Sequence, residues 1–208
     1  MEAVIKKANK VKFDTVIKNL EKRNMKGYYC ETAADAKTLI LSMINDEDVV
    51  SWGGSATLNQ IGVKGELKNV IDTAAGKPEE AMPLRRKALL SDVFLTSTNA
   101  ITLEGELVNI DGMGNRVAAM CFGPGKVIVV AGKNKLVKDE AAAVSRIKTE
   151  ACPPNCIRLS KNTPCAVTGQ CANCLKPGET ICSYTVTTRF SSIPDRIHVI
   201  LVNENLGF

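Results

Sequence analysis

Lys126-Val127-Ile128-Val129-Val130-Ala131 decides the fold. A short continuous apolar run, bounded by Gly123-Pro124-Gly125 before it and Gly132 after it, predicts a buried strand. Weaker copies of the pattern stand upstream. Asp48-Val49-Val50-Ser51-Trp52 ends in Gly53-Gly54-Ser55, and Asn69-Val70-Ile71-Asp72 and Asp92-Val93-Phe94-Leu95-Thr96 follow. Ile197-His198-Val199-Ile200-Leu201-Val202 closes the series. Strands are therefore expected at 48–52, 69–72, 92–96, 126–131 and 197–202.

Helical spacing fills the intervals. Val4, Ala8, Val11, Val16 and Leu20 form a stripe over 3–22, which Gly27 closes. Thr32 with Asp35 resembles a capping box ahead of Ala36, Leu39, Ile40, Met43 and Ile44. Residues 79–90 are helical in pattern, with Pro83 tolerated in a first turn, and 138–150 make a charged, alanine-rich helix. Strands alternating with helices predict an α/β fold: a mixed, mostly parallel sheet sandwiched by helices. Residues 99–110, with a turn at Glu104-Gly105, predict a β-hairpin. Residues 116–122 read as one more strand, so antiparallel strands are expected in the middle section of the sheet. The chain reads as a single domain, 1–208, with 151–195 as a cysteine-rich loop inserted before the last strand.

The composition excludes several function classes. Hydrophobic residues make up 45% and charged residues 24%, an ordinary globular balance. The net charge of +5 is spread out, and aromatics are only 4%, which leaves no stacking platform or basic stripe for nucleic acid. No segment has the apolar length of a membrane span, and Met1-Glu2-Ala3-Val4-Ile5-Lys6-Lys7 is no signal peptide. A cytoplasmic location is expected, with the eight cysteines as thiols or metal ligands.

Ligands of parallel α/β sheets sit at the carboxyl ends of strands. Gly53, Gly54 and Ser55 lie at such an end, where glycines let an anion approach backbone N–H groups. Thr96-Ser97-Thr98-Asn99 sits at the end of the third strand, so Thr98 and Asn99 are candidate hydrogen-bonding groups. Glu104 and Asp111 offer a general base or a hydroxyl acceptor. Arg116, after Asp111-Gly112-Met113-Gly114-Asn115, offers a bidentate partner for a carboxylate or phosphate. The single His198 reads as a satisfied core residue, and Cys30 and Cys121 as small buried hydrophobes.

The run Ser97-Thr98-Asn99-Ala100-Ile101-Thr102-Leu103-Glu104-Gly105-Glu106-Leu107-Val108-Asn109-Ile110-Asp111-Gly112-Met113-Gly114-Asn115-Arg116-Val117 resembles the LUD, or lactate-utilisation, domain family. Gly123-Pro124, Val129-Val130-Ala131-Gly132-Lys133-Asn134-Lys135 and the segment from Ile193 to Glu204 extend the likeness to the family's short, single-domain branch. The resemblance implies a fold like glucosamine-6-phosphate deaminase, ribose-5-phosphate isomerase and the CoA transferases. It implies a subunit or accessory factor of lactate-to-pyruvate oxidation, binding a small anionic metabolite beside iron–sulfur partner subunits. It assigns no catalytic residue, so the candidate site rests on the strand-end argument. An independent enzyme on a phosphorylated sugar or folate-like substrate, and a metal- or redox-sensing protein, are the alternatives.

Cys165, Cys171, Cys174 and Cys182, spaced Cys-x5-Cys-x2-Cys-x7-Cys, are the expected ligands of one metal centre. A loop this long and poor in apolar residues needs an organiser. Zinc and an iron–sulfur cluster both fit thiolates, and the redox chemistry implied by the resemblance favours the cluster. Cys152 and Cys156, separated by two prolines, are left outside the expected set.

Overall fold

In the computed structural model, which describes every residue except 74 and 76, ten strands form two sheets. In chain order they are β1 (Lys26–Cys30), β2 (Val50–Trp52), β3 (Val70–Asp72), β4 (Val93–Ser97), β5 (Ala100–Thr102), β6 (Leu107–Asp111), β7 (Lys126–Gly132), β8 (Leu136–Val137), β9 (Tyr184–Thr188) and β10 (Ile197–Val202). The helices are α1 (Glu2–Glu21), α2 (Ala33–Ser42), α3 (Ala56–Ile61), α4 (Ala81–Ala88), α5 (Asn115–Cys121), α6 (Glu140–Arg146), α7 (Cys152–Arg158) and α8 (Pro164–Thr168). No helix among the described residues is long and apolar enough to cross a membrane.

The first sheet runs β1-β10-β7-β4-β2-β3, and every pair in it is parallel. Its central strands are mostly apolar on both faces because both faces are covered. Val127, Val129 and Ala131 of β7 point to one side with Phe94, Val199 and Leu201, where α1 adds Phe13, Val16 and Leu20. Ile128 and Val130 point to the other side with Leu95, Ile200 and Val202, where α2 and α3 add Ala36, Ile40, Leu58 and Ile61. Each of the five strands expected at 48–52, 69–72, 92–96, 126–131 and 197–202 is present, and the fold is α/β with a mostly parallel sheet between helices.

The antiparallel strands are also present, but in a sheet of their own, β8-β5-β6-β9. The hairpin β5–β6 turns at Gly105, whose φ is +85°, and a side chain there would press on the backbone of α1 at Leu20. The outer face of this sheet packs on Ala143, Ile147 and Ala151.

Three expectations are corrected. Residues 116–122 form α5 rather than a strand: Gly114 takes a left-handed conformation to start it, and Val117, Ala119 and Met120 turn inward. Gly27, expected to close the first helix, lies inside the edge strand β1. The segment 151–195 holds α7, α8 and β9, so it is more ordered than a loop. The helix expected at 138–150 continues through a π-helical turn, Ile147–Ala151, into α7. Pro153 and Pro154 cannot donate to the carbonyls behind them, and the ladder widens there, with Cys152 N–H reaching Ile147 O.

Candidate functional site

The chain leaves the first sheet at Ser97 and enters the second at Ala100, so Thr98-Asn99 is the seam between them. Three cationic side chains bind this seam. Lys135, at the end of a short 3-10 turn after β7, is buried and donates to Ser97 Oγ (2.9 Å), Thr57 Oγ1 (3.1 Å) and the Thr98 carbonyl (3.2 Å). Arg146, at the end of α6, donates to the Asn99 carbonyl (2.8 Å) and to Asn134 O (2.7 Å). Arg116, from α5, donates to the Ser97 carbonyl (3.2 Å), Asn99 Oδ1 (3.1 Å), Ile110 O (3.1 Å) and Asn109 Oδ1. Its Nε lies 3.2 Å from Asp111 Oδ2.

Neutral acceptors satisfy the hydrogen bonds of a buried cation but not its charge. Among the described residues, Asp111 is the one carboxylate buried at the seam, and Glu150, 3.6 Å from Arg146, is largely exposed. The imbalance falls on Lys135. Burial, and then the nearby Arg146 and Arg116, push its pKa down to about 7. Burial likewise lowers Arg116, against the pull of Asp111. One more polar group faces this region: Asn109 Nδ2 is buried with no hydrogen-bond partner among the described residues.

The segment 204–208 straps over Lys135. Asn134 Oδ1 accepts from Leu206 N–H (3.0 Å), Gln60 Oε1 accepts from Gly207 N–H (2.6 Å), and Thr57 Oγ1 donates to Leu206 O (3.3 Å). A Cβ on Gly207 would lie 2.5 Å from Thr57 Oγ1 and 3.4 Å from Lys135 Nζ, so only glycine lets the strap come this close.

The residues expected from sequence divide in two groups. Gly53 packs on the stem of Arg116, where an added Cβ would stand 3.3 Å from its Cγ and Cδ. Ser55 caps α3 through Leu58 N–H (3.2 Å), which sets Thr57 against Lys135. Thr98, Asn99, Asp111 and Arg116 meet at the seam, while Gly54 beside them is exposed. All five N–H groups of Arg116 already face protein acceptors, so it acts here as a clamp between β4 and β6. Glu104 is apart, at the opposite end of the hairpin, in a groove of about 460 Å³ with Lys22, Arg23 and Arg189. Sequence reasoning missed Lys135, Arg146, Thr57 and Asn109, whereas Ser97 stands in the polar strand end Thr96-Ser97-Thr98-Asn99 already singled out. The only signal for the others was that Asn109 and Lys135 each fall inside a run that carries the family likeness.

The cysteines also regroup. Cys152 Sγ lies 3.4 Å from Cys182 Sγ, and Cys156 Sγ lies 3.6 Å from Cys165 Sγ. Cys171 and Cys174 stay on the surface loop, bonded to Asn173 and Thr180. The Cys-x2-Cys step turns through Asn173, whose φ is +49°, away from the other two expected ligands. Cys152 and Cys156, excluded because of the prolines between them, share one face of α7 because Pro153 and Pro154 sit in its first turn. Cys121, expected to be buried, is exposed, whereas Cys30 is buried. The Cys152–Cys182 contact lowers the Cys182 pKa to about 7 and raises that of Cys152. As the side chains stand, no three Cys, His, Asp or Glu groups among the described residues close on one point.

His198 bonds and stacks on Tyr28, at 3.0 Å from its hydroxyl, as a satisfied structural residue.

Comparison with known proteins bears on the fold and the family. A DUF162 family protein from Deinococcus radiodurans superposes with a TM-score of 0.54 at 16% identity, covering 95% of this chain and 98% of that one. It shares the fold. Partial overlays, each over about half of both chains, come from a D-ribose-5-phosphate isomerase in complex with phospho-erythronic acid (TM-score 0.31, 18% identity, 49% and 52% covered) and from eIF2B delta of Chaetomium thermophilum (TM-score 0.33, 20% identity, 52% and 49% covered). No curated protein matches the chain. The LUD domain model matches residues 13–202, nearly the whole chain, and the protein belongs to the LUD domain family.

Proposed function

We propose that this LUD domain binds a small anionic metabolite at the seam between its two sheets, as a subunit or accessory factor of organic-acid oxidation that works beside iron–sulfur partner subunits. The observation that carries the reading is that three largely buried cations, Arg116, Lys135 and Arg146, all bind Ser97-Thr98-Asn99 with one buried carboxylate between them. A carboxylate or phosphate would supply the missing charge at Lys135, and its second oxygen would take the free proton pair of Asn109 Nδ2. The ligand takes the place of the strap at Leu206-Gly207. Lys135, Thr57, Ser97 and Asn109 contact it. Gly53, Ser55, Thr98, Asn99, Asp111 and Arg116 shape the site around them, and Glu104 lies outside it.

One observation favours a catalytic version on a phosphorylated sugar. An amine whose pKa is about 7 is substantially neutral at physiological pH, and is then a base or nucleophile.

Titration calorimetry with L-lactate, pyruvate, inorganic phosphate and ribose 5-phosphate tests both versions. At least one anion is expected to bind the native chain, with Lys135→Met weakening it more than tenfold. Binding tightens as pH falls through about 7, because the ammonium form takes over. Turnover of the sugar phosphate, lost in the same variant, selects the catalytic version. Anion binding that Lys135→Met leaves unchanged, or no binding by any of the four, overturns the assignment.

A further inference from the structure

We infer that Cys152, Cys156, Cys165 and Cys182 together hold one thiophilic metal ion of the zinc class, in tetrahedral coordination. The first support is where the four thiols come from. Cys152 and Cys156 lie one turn apart on α7, Cys165 comes from α8, and Cys182 from the approach to β9. Three separate segments thus deliver four free thiols to one helix face, although residues 169–183 have no helix or strand to hold them there.

The second support is spacing. Four thiolates around one zinc, with bonds of about 2.3 Å, stand roughly 3.8 Å apart along each edge of the tetrahedron. The two sulfur pairs, at 3.4 and 3.6 Å, are near that edge length and too long for a disulfide, whose sulfurs stand about 2.05 Å apart. They correspond to two opposite edges, and the single helical turn between Cys152 and Cys156 links them. Residues at i and i+4 of a helix are neighbours, so changes of rotamer at the two α7 thiols bring the pairs onto one ion.

The third support is what the ion would organise. Cys152 packs with Ala100, Val108 and Ile110 of the second sheet, and Cys182 borders the same cluster. Leu175 is exposed, so the segment between α8 and β9 has little apolar burial of its own to order it. A four-thiolate ion there pins the segment to α7 and holds β9 against β6.

The test begins with the whole chain, reduced and stripped of metal by a chelator. Zinc is titrated in against a chromophoric competitor, and thiol alkylation is mapped by mass spectrometry with and without it. The expected result is about one zinc per chain, with Cys152, Cys156, Cys165 and Cys182 protected by the metal and Cys171 and Cys174 alkylated at the same rate in both states. Cobalt in place of zinc is expected to give the visible bands of a tetrahedral thiolate site. Cys156→Ser and Cys165→Ser are expected to lower zinc affinity more than tenfold, and Cys171→Ser and Cys174→Ser to leave it unchanged. The protection map needs no variant, so it decides the matter even where a substitution prevents folding. Protection of Cys171 and Cys174, equal alkylation of all thiols with and without zinc, or purified protein carrying iron with acid-labile sulfide on these thiols would each overturn the mononuclear site.

Discussion

Lys135 keeps an amine where solvent is absent, and that has a consequence for stability as well as for binding. Its folded pKa is about 7, against 10.5 for the unperturbed side chain. Between those values the unfolded chain holds a proton that the folded chain has released, so stability rises with pH across this window. Below about pH 7 both states are protonated, and the cost of burying the ammonium is present in full. Lys135→Met removes the term. Thermal denaturation is expected to show the variant gaining on the native protein at about pH 6, with the gain shrinking steadily toward about pH 9. A pH-independent difference would mean that the amine is not desolvated as described. None of this was legible in Gly132-Lys133-Asn134-Lys135, where a second lysine just after a glycine, lysine and asparagine reads as a solvated turn charge. Its burial depends on Thr57 and Ser97, roughly 80 and 40 positions away in sequence. Arg116 was legible as a placement because glycine turns and strand ends mark the locality. Its saturation by five acceptors was not, since four of them are backbone carbonyls and side-chain amides that the sequence does not distinguish.

Among the elements, α5 shows how an anchor far along the chain fixes a short helix. Arg196, just ahead of β10, is buried and donates to Ala119 O (2.8 Å), Met120 O (2.7 Å) and Pro124 O (2.9 Å). The first two are orphan carbonyls of the last turn of α5, which other helices satisfy with a local cap. Arg196→Met leaves three buried acceptors unpaired and is expected to destabilise the fold by about 3 kcal/mol or more, at roughly 1 kcal/mol for each. Urea denaturation measures this, and a loss below about 1 kcal/mol would remove the anchoring role. The dependence also explains why α5 was misread as a strand. At seven residues it spans only about two turns, too few for a helical repeat to stand out, and its C-terminal stop is supplied by a residue 75 positions away from its last one. Where the determinants are local, reading was easier. The Thr32–Asp35 capping box forms as the spacing predicts, with Thr32 Oγ1 accepting from Asp35 N–H (3.2 Å) and Asp35 Oδ2 accepting from Thr32 N–H (3.0 Å).

At the scale of the molecule, two sheets share the run Ser97-Thr98-Asn99-Ala100, and the candidate site is where that run crosses between them. The parallel sheet was legible because its central strands must be apolar on both faces, as Val127 to Ala131 are. The second sheet was half legible. Its hairpin announced itself through Glu104-Gly105, but β9 was hidden: Tyr184-Thr185-Val186-Thr187-Thr188 is an edge strand with one apolar residue at its centre, inside a segment dominated by cysteine and proline. The grouping of the thiols was hidden for a related reason. Adjacent Cys171 and Cys174 are conspicuous in sequence, whereas the grouping of Cys152 with Cys182 exists only once β9 has returned to β6. The central claim is that the seam takes an anion at Lys135, and a crystal structure of the chain grown with the tightest-binding carboxylate or phosphate from the calorimetric panel tests it most directly. The account predicts density for the anion within hydrogen-bond reach of Lys135 Nζ and Asn109 Nδ2, with Leu206-Gly207 displaced from its bonds to Asn134 and Gln60. An anion seated instead among Lys22, Arg23 and Arg189 beside Glu104, with Lys135 still bonded only to Thr57, Ser97 and Thr98, would contradict it.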